Sequence, residues 1–141
     1  VTVRDSVFTY TQRIGRIKTW QGGRGLVQNI TFDNLYAHKV HTPIVVDQFY
    51  CPLDQHDGNP CGNKTRAVSI NGVNFNNIKG THTSGLAGSM ICADTAHCTD
   101  IWMNDVSLHQ TELGLTNAFQ CWNAEGESHD VYPLDCLNRV N

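Results

Sequence analysis

Apolar and polar residues alternate in short stretches along most of the chain, and four of these stretches share one pattern, apolar-x-apolar-x-(Asn/Asp/Gly)-y-x-apolar. They run from Val1 to Phe8, Ile30 to Ala37, Val68 to Phe75 and Ile101 to Leu108, with the polar turn residue at Asp5, Asn34, Gly72 and Asp105. Alternation places every second side chain on one face of an extended strand, and most members are β-formers. Asn, Asp and Gly tolerate left-handed backbone, so each unit reads as two short strands meeting at a corner. Asn71-Gly72 is by itself a hairpin signal. Because the same position is Asp5-Ser6, Asn34-Leu35 and Asp105-Val106 in the other units, it too is read as a corner.

A pattern that starts at residues 1, 30, 68 and 101 is a repeat with insertions, the mark of stacked units. No stretch of ten or more residues has apolar spacing of three and four, so helical crossovers do not link the strands. The prediction is an all-β parallel β-helix of about four rungs; an antiparallel sandwich of short strands is the alternative, and the repeated corner weighs against it. Open ends of such a coil invite association, so natural versions are capped. The segment from Cys121 to Cys136 is polar and contains glycine, and closed by its cysteines it can cover the last rung. The pattern begins at Val1 with no room for a cap, so residues 1–141 read as one partial domain whose N-terminal rungs are missing.

A length of 141 residues fits a single domain. With 40% hydrophobic and 16% charged residues the chain is too apolar for a disordered tail, yet it has no long apolar span. The six cysteines, Cys51, Cys61, Cys92, Cys98, Cys121 and Cys136, include no C-x-x-C pair, which favours disulfides over zinc or redox chemistry. Fifteen connectivities are possible. The sequential one, Cys51 with Cys61, Cys92 with Cys98 and Cys121 with Cys136, closes three short loops and is preferred. Acceptor sequons at Asn29 and Asn63 suit glycosylation of a secreted surface. Together these features predict an extracellular or cell-wall location, with any secretory signal already removed or lying upstream of Val1.

The net charge of −3 conceals an asymmetry: Arg4, Arg13, Arg16, Lys18, Arg24 and Lys39 face only Asp5 and Asp33 in residues 1–41, and acids dominate beyond. An anion-binding face belongs near the N-terminus. Within it, Arg16-Ile17-Lys18 sets two cations at i and i+2, on one face of an extended strand. Arginine offers a planar fork for a carboxylate and lysine a compact charge, so the pair suits an acidic sugar. The plainer alternative is a solvated strand edge protected by charge.

The run Gly15-Arg16-Ile17-Lys18-Thr19-Trp20-Gln21-Gly22-Gly23 resembles the Arg-Ile-Lys motif of the polygalacturonases of glycoside hydrolase family 28, especially the plant type. Further matches are Val27 to Asn34, Pro43 to Cys51 and the loop from Cys92 to Cys98, so the resemblance covers nearly the whole chain. It implies a right-handed parallel β-helix and, for the parent enzyme, hydrolysis of α-1,4-galacturonide bonds with inversion. Arg16 and Lys18 would then bind galacturonate carboxylates, with Tyr50 a substrate-positioning aromatic. The family's Asn-Thr-Asp, Asp-Asp and Gly-His-Gly motifs do not occur, nor does any adjacent pair of acids. Because those motifs precede Arg-Ile-Lys in the family, no catalytic residue is expected here, and the isolated chain is expected to be inactive.

The expected ligand is polygalacturonate or an oligogalacturonide, and the expected protein partner an upstream chain of the same enzyme, or a second copy at the open N-terminal rung. A non-catalytic pectate-binding or lectin-like protein, or a defence or allergen-type protein, are the alternatives. Neither nucleic acid nor membrane is expected as a partner, and no cofactor or metal. Asp33 and Asp47 suit backbone hydrogen bonds at turns, His38 and His41 the surface, and Asp94 and His97 a loop closed by Cys92 and Cys98. Of Trp20, Trp102 and Trp122, the first lies beside the cations and is the one expected to meet a sugar.

Overall fold

A computed structural model describes residues 1–51 and 66–139. Nine strands follow in chain order: β1 (Thr2–Thr9), β2 (Gly15–Lys18), β3 (Leu26–Val40), β4 (Ile44–Asp47), β5 (Ser69–His82), β6 (Leu86–Ile91), β7 (Cys98–Gln110), β8 (Ala118–Trp122) and β9 (Ala124–Tyr132). They form a five-stranded sheet ordered β1-β3-β5-β7-β9 and a four-stranded sheet ordered β2-β4-β6-β8. Every pairing between these strands is parallel. The chain therefore visits the two sheets alternately and lays one strand on each at every pass. This is the expected right-handed parallel β-helix, and none of the described residues is helical.

The long strands bend at the corners that the sequence marks. Asp5, Asn34, Asn77, Asp105 and Asp130 all have φ between 50° and 56°, and the flanking register sets them in one line across the five-stranded sheet. Asn34 Nδ2 donates to Asp5 Oδ1 at 2.8 Å, and Asn77 Nδ2 donates to Asn34 Oδ1 at 3.1 Å, so neighbouring rungs tie their corners together. One predicted corner is misplaced. Gly72 lies in a second line, with Asn29 and Asp100, and the third unit begins at Val73, turning at Asn77. The strands β3, β5 and β7 each carry an Asn, Asp or Gly in both lines, and Asn71-Gly72 belongs to the second.

Between the sheets the inward side chains stack. Phe32, Phe75 and Met103 are in register and buried, and the rings of Phe32 and Phe75 lie 5.2 Å apart at 6°. Ile17, Val46 and Met90 form a parallel column from the other sheet. At the far end, the chain after β9 folds over the last rung. The Cys121–Cys136 disulfide anchors it, Leu137 is buried, and Asn138 exchanges backbone hydrogen bonds of 2.9 Å with Gly126 and Ala124. This is the disulfide-closed cap, but it is formed by the chain after β9. The segment from Cys121 to Cys136, expected to cover the last rung, itself supplies the end of β8 and the whole of β9, because its residues pair as strands in the two sheets. Cys92 and Cys98 are also bonded, with Cα atoms 5.7 Å apart. Cys51 is disulfide-bonded, whereas Cys61 and Asn63 lie outside the described residues.

Asp135 is the electrostatic pin of the cap, its side chain only 5% exposed. Burial acts to raise its pKa, but hydrogen bonds from Ser128 Oγ, Arg139 and the Leu137 amide, with the charge of Arg139, outweigh burial and hold it below the usual aspartate value. A depressed folded-state pKa gives stability that is complete above the unfolded value of about 3.9 and is lost as pH falls through the folded one. Acid unfolding followed by circular dichroism should accordingly show a smaller pH dependence below pH ~4 in Asp135→Asn than in the unaltered protein.

Candidate functional site

The strand β2 is short, alternating and at the edge of the four-stranded sheet. Gly15 and Ile17 face inward, while Arg16 and Lys18 project outward and are exposed. Gly15 suits its place because a Cβ there would stand 3.1 Å from Cδ1 of Phe32, so the bare backbone rests on the ring. Both cations converge on Tyr50: the Arg16 guanidinium carbon is 5.5 Å and Lys18 Nζ 4.2 Å from the centre of its ring. These are cation–π distances.

Tyr50 reaches this position through backbone hydrogen bonds. The Thr19 amide donates to the Asp47 carbonyl at 2.8 Å, and the Tyr50 amide donates to the Thr19 carbonyl at 3.0 Å. Asp47 Oδ1 accepts from the Phe49 amide at 2.8 Å, which fixes the turn out of β4. Among the described residues no carboxylate pairs with Arg16 or Lys18. Arg13 adds to the uncompensated charge, and burial, then the charge of Arg16, depress its pKa. Arg13 lies in an irregular stretch with no alternation, so its part in the cluster was not legible in the sequence.

The other candidates have contacts of their own. Trp20 is 46% exposed and its indole lies against Gly23, where a Cβ would be 3.1 Å from Cδ1. His38 packs edge-on against Tyr10, and His41 is exposed. Asp33 is half-buried on β3, in the other sheet. His97 pairs with Glu125 at 2.6 Å, and the neighbouring Cys98 is held in a disulfide and is not a free thiol. Asn29 is exposed at a left-handed corner. No group of three His, Cys, Asp or Glu among the described residues could hold a metal ion.

The model of a known family, described as glycosyl hydrolases family 28, matches residues 1–130. The chain belongs to that family. Family 28 relatives of known name include a probable polygalacturonase of Arabidopsis thaliana, 39% identical over 98% of this chain, and a polygalacturonase of Chamaecyparis obtusa, 40% identical over 79%. A second probable polygalacturonase of Arabidopsis thaliana is 35% identical over 97% of the chain. This family 28 chain spans about 30% of the length of the two Arabidopsis relatives and 21% of the Chamaecyparis one. The family match contains Arg16, Lys18 and Tyr50.

Proposed function

We propose that this chain is the C-terminal part of a secreted polygalacturonase and supplies the wall of the cleft that holds galacturonate carboxylates. The observation that carries the reading is the convergence of Arg16 and Lys18 on Tyr50, exposed and without an acidic partner among the described residues. Two cations flanking a half-buried ring can grip a carboxylate while the sugar lies over the aromatic. Inverting hydrolysis also needs a general acid and a general base about 6.5–9.5 Å apart. Neither cation can serve as either, so the acids belong to upstream rungs of the longer protein, stacked on the free edges of β1 and β2. Alone, this chain orients substrate and does not cleave it. An exposed Asn29 in a sequon supports glycosylation, and the paired cysteines support an oxidising, cell-wall destination.

Calorimetry with polygalacturonate tests this. Arg16→Ala and Lys18→Ala should each weaken binding about tenfold and the double variant about a hundredfold. Raising salt from about 0.1 M to 1 M should weaken the unaltered protein, because screening shortens from about 10 Å to 3 Å. Equal binding by the double variant would refute the proposal. The absence of the family's acidic motifs also favours a second reading, a pectate binder with no enzymatic parent. It is separated by whether an extract of the source tissue yields a longer form that releases reducing ends.

A further inference from the structure

The cations sit at one end of a strip that continues across the whole four-stranded sheet. Register places Lys18, Asp47, Ile91 and Trp122 in one outward column, and Arg16, Val45, Ser89 and Gln120 in the next. Trp122 is 58% exposed, but its ring is held: Nε1 donates to Asp94 Oδ1 at 3.1 Å, and Asn123 Nδ2 donates to the same oxygen at 2.7 Å. An aromatic face fixed in orientation, beside the aliphatic Ile91 and the hydrogen-bonding side chains of Ser89 and Gln120, is what a pyranose ring stacks on. Three interstrand steps of about 4.8 Å separate it from Lys18, a span that an oligosaccharide covers and a monosaccharide does not.

The charge at this end is opposite. No lysine or arginine occurs between Lys79 and Arg139, and the exposed carboxylate of Asp94 stands against the indole. A free uronate stacked on Trp122 would meet that carboxylate, with which no cation pairs among the described residues. We propose that Trp122 is the platform of a second sugar subsite, which takes an uncharged pyranose such as a methyl-esterified galacturonate while Arg16 and Lys18 take a free acid. The inference rests on the carboxylate-binding role of Arg16 and Lys18. It adds a directional preference: one pectin strand is read for its acid at one end and for its ester at the other.

Calorimetry with galacturonate oligomers of about six residues, fully de-esterified or partly methyl-esterified, tests the subsite, with digalacturonate as the short control. Trp122→Ala should weaken the esterified oligomer about five- to tenfold and leave digalacturonate unchanged, while Trp122→Phe keeps most of the affinity. Asp94→Asn retains an acceptor for the indole and removes the charge, so it should strengthen the de-esterified oligomer about twofold or more. If Trp122→Ala binds every ligand as the unaltered protein does while Arg16→Ala still weakens them, the subsite is refuted and the cationic site stands. If Trp122→Ala weakens both oligomers equally, the assignment to an ester is overturned. If the unaltered protein binds neither oligomer, the cationic reading and this one fall together. Thermal midpoints of all variants close to that of the unaltered protein exclude misfolding as the cause.

Discussion

Replacing Gly80 with alanine is expected to destabilise the protein by about 4 kcal/mol or more, at the extreme of what single substitutions do. Gly80 is in register with Ala37 on the neighbouring long strand. A Cβ at position 80 would stand 1.8 Å from the Ala37 carbonyl oxygen and 2.7 Å from its carbonyl carbon. Both are main-chain atoms of a paired strand, so relief requires β3 and β5 to part. The backbone there has φ of 134°, which alanine rarely adopts. Gly25 separates the two effects, because its φ is 130° but nothing lies within 4 Å of the added carbon. Gly25→Ala should therefore cost only the conformational strain, about 1–3 kcal/mol. Urea denaturation of both variants checks this, and equal midpoints would mean that the strands are not packed as closely as described.

Phe75→Ala is expected to cost about 3–5 kcal/mol, the range for removing a buried aromatic side chain. Phe75 is completely buried, stacked on Phe32 and in register with Met103 below it. A cavity there removes the support under Phe32, whose ring carries the backbone of Gly15 immediately before Arg16. Stability and ligand binding should respond unequally, with a large fall in the urea midpoint and only a few-fold loss of polygalacturonate affinity at temperatures where the variant is folded. A loss below about 1 kcal/mol would show that this column is not the centre of the core.

Much of the coil was legible because its corners are chemical. Asp5, Asn34 and Asp105 stand out where alternating apolar positions meet a residue that accepts positive φ, and all three do turn the chain. The third unit was read five positions early, since Asn71-Gly72 has the same composition as a true member of the line yet belongs to the other corner. The rung that turns at Asp130 was not read at all. Its inward positions before the corner are Gly126 and Ser128, and Gly126 is required because a Cβ would stand 1.8 Å from the Ile101 carbonyl oxygen. An apolar template cannot find a unit whose inner face is covered by a polar cap.

The site was legible only in part. Arg16 and Lys18 share a face by simple alternation, but Tyr50 reaches them from beyond the next strand of the same sheet, and its place came from family resemblance rather than spacing. The column that brings Trp122 into line with Lys18 depends on four short strands, β2, β4, β6 and β8, separated by connections of unequal length. With four to six residues each, those strands carry too little periodicity to fix their register. Trp20, nearest to the cations in sequence, is favoured on that ground, whereas Trp122 shares the column of Lys18 and the outward face of both cations.

The line of left-handed Asp and Asn residues sets the girth of the coil, because every rung must bend at the same place to stay stacked on its neighbour. How many rungs there are is decided elsewhere, by how often the unit is copied. Profile and length are thus independent quantities in this architecture, and adding a turn would extend each sheet by one strand while leaving the cross-section unaltered.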